Sequence, residues 1–450
     1  MFSRILIANR GEVALRIIRT CKRLNIETVV VYSQADKDAV YLKLADRAIC
    51  IGPPQARESY LKINNIISAA EIADVEAIHP GYGFLSENAH FAEVCRACRI
   101  AFIGPPTQAI EDLGDKIKAK QIAKAAGVPT VPGSEGAVPD VETALKLANQ
   151  LGFPVLLKAA AGGGGRGMRI SHNDVSLRAS FMQASAEAEA AFGNGTLYME
   201  KAIERARHVE VQILADEYGT VLHLGERDCT VQRRNQKLIE ESPCAAPGFD
   251  KRERYDMQQA AIRLMKAAKY TNVGTVEFLY DVRTRKSHFM EVNTRLQVEH
   301  PVTEMVTGLD LVEEQIRISS GERLRWRQKD IAFKGHAIEC RINAEDPSKG
   351  FAPTPGRIGI FSPPAGTSIR MDTHIYSGYE VPSHYDSLLG KLIVHGSDRL
   401  DAVRRMRMAL SQLVLEGIPT TVPALREALG HVKFVGGAYD TGFLSNELGM

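Results

Sequence analysis

No stretch of the 450 residues approaches the ~18 uninterrupted apolar residues that a membrane-spanning helix needs, so no membrane association is expected. A secretory pattern is also missing. Met1-Phe2-Ser3-Arg4 leads straight into the short apolar run Ile5–Ala8 and then Asn9-Arg10-Gly11-Glu12. Seven cysteines, neither dense nor even in number, make no disulfide framework, and a cytoplasmic protein with reduced thiols is the expectation. Cys95 and Cys98 have CxxC spacing but lie in a helical pattern without a second pair, which argues against a metal or redox centre there. An excess of one charge is lacking too. Lys and Arg number 56 against 54 Asp and Glu, for a net +2, which argues against a nucleic-acid binder and leaves room for a local basic pocket that takes a small anion. The chain has no internal repeat and no low-complexity tract.

What is present fits a folded chain of about three domains, at roughly 150 residues each; 44% of residues are hydrophobic and 24% charged. The first third alternates two kinds of element. Ile5–Ala8, Thr28–Tyr32, Ala48–Ile51, Ala77–His79 and Ala101–Ile103 read as strands, and Val13–Leu24, Tyr60–Glu71 and Ala89–Ala97 as helices. That alternation predicts a parallel sheet covered by helices. The first turn carries only Gly11 rather than GxGxxG, which disfavours a dinucleotide site. Gly104-Pro105-Pro106 interrupts the region, a helical stretch runs to about Ala126, and Gly127-Val128-Pro129 with Val131-Pro132-Gly133 mark a linker. Val155–Ala160, a glycine run, a helix near Val175–Ala191 and a strand at Leu197–Met199 read as a small lid. From His208 the pattern turns mainly β: His208, Glu210 and Gln212 alternate with Val209, Val211 and Ile213. A third region begins after about Lys329, with strands near Ala337–Ile342, a Pro/Gly-rich stretch and a helix at Asp401–Leu413.

Several groups of residues could carry chemistry. The run Gly162–Gly167 follows Leu156-Leu157-Lys158; glycine lets backbone N–H groups approach an anion, and a lysine ending an apolar strand needs an anionic partner or water. The run is a phosphate cradle on this reading, yet no Walker A loop, because Gly-Lys-Ser/Thr is missing. In the stretch Thr275–Asn293, a hairpin centred on Thr284 sets Glu277 opposite Glu291, with Asn293 on the same face by the two-residue period. Opposed carboxylates repel, and a divalent cation with oxygen ligands relieves this. Arg295, Gln297, Glu299 and His300-Pro301 follow at once: Arg295 can fork onto an oxyanion, and Glu299 can take a proton from a bound nucleophile. Arg233-Arg234-Asn235-Gln236-Lys237, preceded by Arg227-Asp228-Cys229, is a cationic cluster. His79–Glu87 is a Gly-rich loop after a parallel strand, the usual ligand position.

These motifs together carry a resemblance. Ile7–Glu12, His79–Asn88, Lys158 with the glycine run, Arg207–Glu210, Gln232–Lys237, Met290–Arg295 with Gln297–Thr303, and Glu339–Ala344 occur in order over nearly the whole chain. The sequence resembles biotin carboxylases, which are ATP-grasp enzymes. The resemblance implies an α/β chain with three parts. These are a parallel α/β domain over residues 1–113, an ATP-grasp core over 114–330 with a mobile lid at about 131–203, and a C-terminal β-rich domain over 331–450. It implies carboxylation of biotin by bicarbonate with ATP and two Mg²⁺ or Mn²⁺ ions. Lys116, Lys158 and the lid glycines Gly163, Gly164, Gly165 and Gly167 would hold phosphates. Glu200, Lys201 and Ile203 would line the adenine pocket, and His208 would touch the nucleotide. Glu277, Glu291 and Asn293 would coordinate the metals. Lys237, Arg295, Gln297 and the Val298 backbone would hold bicarbonate, with Glu299 as its base. Arg341 would stabilise the biotin enolate, and Tyr82, Gly83, Phe84 and Glu87 would border the biotin ring.

One departure is Asn235, where the family often has His, so any positive charge there is missing. No Met-Lys-Met biotinylation motif is present, so biotin is expected in trans on a biotin carboxyl carrier protein. Carboxyltransferase subunits and a homodimer are further expectations of the resemblance, with acetyl-CoA the favoured final acceptor ahead of pyruvate or propionyl-CoA. More remote alternatives are another ATP-grasp carboxylate-amine ligase, which needs no set of Lys237, Arg295, Glu299 and Arg341, and a non-catalytic nucleotide-binding regulator, expected to lose Glu291 or Lys158.

Overall fold

A computed structural model describes residues 1–159 and 168–450, and the glycine run lies outside them. Five parallel strands open the chain: β1 (Arg4–Ile7), β2 (Glu27–Tyr32), β3 (Arg47–Cys50), β4 (Ala77–His79) and β5 (Ala101–Phe102), in spatial order β3-β2-β1-β4-β5. Both faces of this sheet are buried, and the period of two sorts β1 between them. Ile5 and Ile7 join one apolar cluster, and Leu6 and Ala8 the other. The strand order reverses at β1, so the segments following β1 and β4 meet at the carboxyl ends of neighbouring strands, where open α/β sheets bind ligands. Asn9 bridges them, donating from Nδ2 to the carbonyls of Pro80 (2.7 Å) and Tyr82 (2.8 Å).

A three-stranded antiparallel sheet follows, ordered β7-β6-β8, from β6 (Val155–Ala159), β7 (Arg169–Ser171) and β8 (Leu197–Lys201). Helices Val141–Leu151 and Asp174–Phe192 pack on it around their own small core. Its entry linker runs beside β8: Ser134 N–H donates to the Met199 carbonyl and Lys201 N–H to that of Pro132, both at 2.8 Å.

The centre of the molecule is an eight-stranded antiparallel sheet. It contains β9 (Ala206–Ala215), β10 (Val221–Arg233), β11 (Gln236–Ser242), β12 (Asn272–Asp281), β13 (Lys286–Asn293), β14 (His336–Asn343) and two later strands, Ile369–Thr373 and Leu388–Gly396. The order is β13-β12-β9-β10-β11-β14, then Leu388–Gly396 and Ile369–Thr373. Hydrogen bonding from β11 to β14 therefore carries one sheet across the stretch between the central and C-terminal regions, which the sequence reads as separate. The C-terminal region is also more helical than its Pro/Gly-rich sequence suggests, with Arg399–Gln412 and Val422–Gly430 packed against the sheet.

Two features shape the β10–β11 pair. Arg234 and Asn235 form the two-residue turn between β10 and β11, with φ of 46° and 67°. Both central residues of such a turn are left-handed, a conformation Asn tolerates, so Asn235 is accounted for as a turn residue. Further on, the pairing slips between Val231↔Ile239 and Gln232↔Lys237. This bulge places Leu238 and Ile239 together in the apolar cluster on one side, while Lys237 and Glu240 share the polar side.

Candidate active site

One face of the large sheet is polar from edge to edge although it is buried. β9 places His208, Glu210 and Gln212 there, and the register sets Glu210 beside Glu277 of β12 and Arg227 of β10. The alternation of β9 does not separate solvent from core: all ten of its residues are buried, and the polar set faces the site. The same face takes Cys229 from β10, Lys237 and Glu240 from β11, Arg341 from β14 and Lys391 from Leu388–Gly396. Charges this far from water need partners, and the contacts form a continuous network.

Lys237 is its hub, with Nζ donating to Glu299 (2.6 Å), Glu210 (2.7 Å), Glu277 (2.9 Å) and Gln297 (3.2 Å). Burial alone would depress the ammonium pKa, and the three carboxylates override it, raising it well above its ordinary value. Glu299 is 1% exposed. Burial would raise its carboxyl, but Lys237, Arg341 and Arg227 hold it well below the usual carboxylate range. Arg341 joins it from the other side, donating to Glu299 Oε2 (2.9 Å) and Glu240 Oε1 (2.6 Å). Burial, with Glu299 nearby, pushes Glu240 up to about 7 despite that guanidinium. Arg295 donates to Glu87 (2.9 Å) and Asn293 (3.1 Å), and the Thr294 N–H also donates to Glu87 (3.0 Å). The loop after β4 is thereby tied to the loop after β13.

The hairpin β12–β13 pairs Glu277 with Glu291 and Thr275 with Asn293, as expected, but not through a turn centred on Thr284. Next to the turn Asp281 pairs with Lys286 and Phe278 with Phe289, and a one-residue bulge at Met290 brings the two glutamates opposite. Burial and the neighbouring Glu277 raise the Glu291 carboxyl, which makes no hydrogen bond or ion pair to a described residue. Glu277 is held well below its ordinary value against burial, by Lys237 and His208, whose Nε2 lies 3.0 Å away. Two carboxylates across one rung are hard oxygen donors that fit Mg²⁺ or Mn²⁺. Asn293 gives its amide nitrogen to Glu277 (2.9 Å) and accepts from Arg295 on its oxygen, whose second lone pair is the one a metal would take.

A cleft opens between the lid and this sheet, lined by Lys116, Lys120, Lys158, Glu200, Tyr198 and Met290 among others. Lys116 begins helix Lys116–Ala125, whose first turn is capped by Asp115 accepting from the Ile117 and Lys118 N–H groups. Glu200 takes Lys158 (2.5 Å) on one oxygen and Lys120 (3.0 Å) on the other. Lys201 turns away: its ammonium donates to the carbonyls of Gly152 and Phe153. Its side chain is thus not where an adenine-lining residue would stand, because adjacent strand residues point to opposite faces. Ile203 is partly buried just beyond β8. Gly163, Gly164, Gly165 and Gly167 lie outside the described residues.

In the loop after β4, Phe84 stacks on Tyr60 (4.9 Å between centroids) with φ of 43°, beside exposed Gly83. The Tyr82 hydroxyl donates to Glu12. Lys120, Glu240 and Lys391 carry no motif in the sequence, and the reading missed them. A signal for Lys391 was a basic residue within an otherwise largely apolar strand, Leu388–Gly396.

Family models match end to end. "Biotin carboxylase, N-terminal domain" covers residues 1–110, "Carbamoyl-phosphate synthase L chain, ATP binding domain" 115–327, and "Biotin carboxylase C-terminal domain" 339–446. Biotin carboxylase 1 of Bacillus subtilis is 52% identical over 444 residues, covering 99% of this chain and 98% of that protein. The crystal structure of a Campylobacter jejuni biotin carboxylase with a nucleotide superposes with a TM-score of 0.95 at 50% identity, covering 99% of both chains. The biotin carboxylase domain of Hydrogenobacter thermophilus 2-oxoglutarate carboxylase, a dimer in complex with MgADP, ADP and bicarbonate, gives a TM-score of 0.94 at 48% identity, covering 100% of this chain and 98% of that one.

Proposed function

The chain belongs to the biotin carboxylase family, and we propose how its residues divide that family's reaction among them. It is an ATP-dependent ligase that carboxylates biotin with bicarbonate, yielding ADP, phosphate and carboxybiotin. Bicarbonate is a weak nucleophile near neutral pH and needs fixed cations and a base. Lys237 and Arg295, with Gln297 and the Val298 N–H, hold it. Glu299, kept ionised by Lys237 and Arg341, takes its proton as its oxygen attacks the γ-phosphorus of ATP. Lys116, Lys158 and the lid glycines hold the phosphates, His208 meets the nucleotide, and Glu200 and Ile203 border the adenine. A Mg²⁺ or Mn²⁺ pair at Glu277, Glu291 and Asn293 supplies the positive charge that the transferring phosphoryl group requires when bound.

Carboxyphosphate forms in a site the lid closes off from water, which would otherwise hydrolyse it. It breaks to CO₂ and phosphate, the phosphate takes the ureido proton of biotin, and the resulting enolate attacks CO₂. Arg341 faces the enolate oxygen, while Tyr82, Gly83, Phe84 and Glu87 border the ring. The observation that carries this reading is the placement of Glu299, with one carboxylate oxygen on Lys237 and the other on Arg341. The base is thereby wired both to Lys237, which holds the bicarbonate anion, and to Arg341, which meets the enolate anion, an arrangement a generic carboxylate-amine ligase does not need.

ADP release by the purified protein should require bicarbonate and rise with free biotin. Glu299→Gln should lower it by on the order of 10²-fold or more. A variant within a few-fold of the parent refutes the assignment. The reading extends to a separate biotinylated carrier protein as the natural biotin source, carboxyltransferase subunits, a homodimer and a cytoplasmic setting, with acetyl-CoA as final acceptor ahead of pyruvate or propionyl-CoA. The proteins that co-purify with the chain decide the acceptor.

A further inference from the structure

Lys391 is 0% exposed, and its ammonium meets Val298 and Glu12, drawn from two other regions of the chain. Nζ donates to the Val298 carbonyl (2.8 Å) and lies 3.2 Å from Glu12 Oε1, the same oxygen that accepts from the Tyr82 hydroxyl. Across the sheet it stands between Arg341 of β14 and Asp372 of Ile369–Thr373. Sealing an ammonium from water costs several kcal/mol unless its contacts compensate, and an apolar residue would fill the same core position without that cost. Filling the core therefore does not account for the charge, whereas its partners suggest what it does.

The Val298 carbonyl belongs to the peptide unit whose nitrogen is that of Glu299. Fixing that carbonyl fixes the peptide plane from which the Glu299 side chain departs. The segment between β13 and helix His300–Thr307 is neither strand nor helix, so no sheet or helix bond of its own holds that carbonyl. On the other side, Glu12 links the same ammonium to Tyr82 in the loop after β4. We propose that Lys391 is a positioning residue for Glu299, holding the Val298–Glu299 peptide unit and, through Glu12, setting it against the loop that carries Tyr82. This rests on the assignment of Glu299 as the bicarbonate base.

Misplacing a reacting group by about 1 Å costs on the order of 10²-fold in rate. Lys391→Met keeps the length and apolar stem of the side chain and removes the charge. It should lower kcat/KM for bicarbonate at least tenfold while leaving the KM for ATP within twofold, because the nucleotide cleft is lined by other residues. A kcat/KM for bicarbonate within threefold of the parent overturns the proposal, and so does a tenfold or larger rise in the KM for ATP, which signals general damage. Should Lys391→Met fail to fold, Glu12→Gln decides. A threefold or larger fall in kcat/KM for bicarbonate with ATP unaffected supports the coupling, and no change overturns it. A parent protein without bicarbonate-dependent ATP cleavage overturns the functional reading and this role with it. An active parent with an insensitive Lys391→Met overturns this role alone.

Discussion

Arg341 reaches the site from β14, beyond every residue expected at the nucleotide, and spends its guanidinium on Glu240 and Glu299. The enolate charge it would meet exists only after the ureido proton leaves. Interactions made only at that stage appear in turnover rather than in substrate binding. Arg341→Ala should lower carboxylation of free biotin by about 10²-fold or more, as loss of an oxyanion donor does. Bicarbonate-dependent ADP release without biotin should survive better, and parallel assays of the two activities check this. Away from the site, Glu241 is buried against Arg399 (2.7 Å) and His336 (2.7 Å) and also accepts from Tyr439. Burial would raise its carboxyl, but these partners hold it below the ordinary range. A depressed folded pKa gives stability that is present above the unfolded value of about 4.3 and fades as pH falls below it. Glu241→Gln should be less stable than the parent by about 2–4 kcal/mol at pH 7, with the gap shrinking below about pH 4. Urea midpoints at several pH values measure this directly.

At the scale of elements, the entry linker meets β8 of the lid by close backbone approach. Gly133 in the entry linker runs against β8, where an added Cβ would stand 2.3 Å from the Met199 carbonyl and 2.9 Å from the Glu200 Cα. Both are backbone atoms and cannot swing aside. Gly133→Ala should therefore push the linker off β8 and displace Glu200 with its partners Lys120 and Lys158. The KM for ATP should rise several-fold with the KM for bicarbonate little changed, and steady-state kinetics in both substrates check the split. The hairpin β12–β13 was legible from its polar turn between two apolar runs, although a bulge at Met290, which the sequence does not announce, is what sets Glu277 opposite Glu291. The bulge at Leu238 was not legible either, since strict alternation from Lys237 puts Glu240 on the wrong face.

At the scale of the molecule, the parts share cores. On one side of the N-terminal sheet, Ile5 and Ile7 of β1 with Ile17 and Ile18 of the helix Gly11–Arg23 share a cluster with Leu214, Leu224, Val273, Leu296 and Val312 from the central region. Arg16 adds ion pairs to Glu304 (2.7 Å) and Asp310 (2.8 Å), and Arg370 from a C-terminal strand meets the same Glu304 (2.7 Å). At about 1.5–3 kcal/mol for each buried aliphatic side chain, losing those five partners removes roughly 7–15 kcal/mol, as much as a whole domain's net stability. Residues 1–113 expressed alone should thus bind a hydrophobic dye and melt without a cooperative transition. A sharp thermal transition by circular dichroism for that fragment contradicts this.

The sequence alone determined the parallel sheet of the first third, the lid elements, the hairpin β12–β13 and the cluster from Arg295 to Glu299. Each of these rests on periodicity or spacing within a few dozen residues. Which strands became neighbours was decided only by the tertiary structure, because antiparallel pairing across β11 and β14 joins segments about a hundred residues apart without a local signal. That pairing brings Arg341 to Glu299, sets Lys391 under Val298, and turns the polar side of β9 from an expected two-faced strand into the buried floor of the site. A charge can sit on such a floor only when its partners arrive from elsewhere in the chain, and residue order does not state where those partners will be.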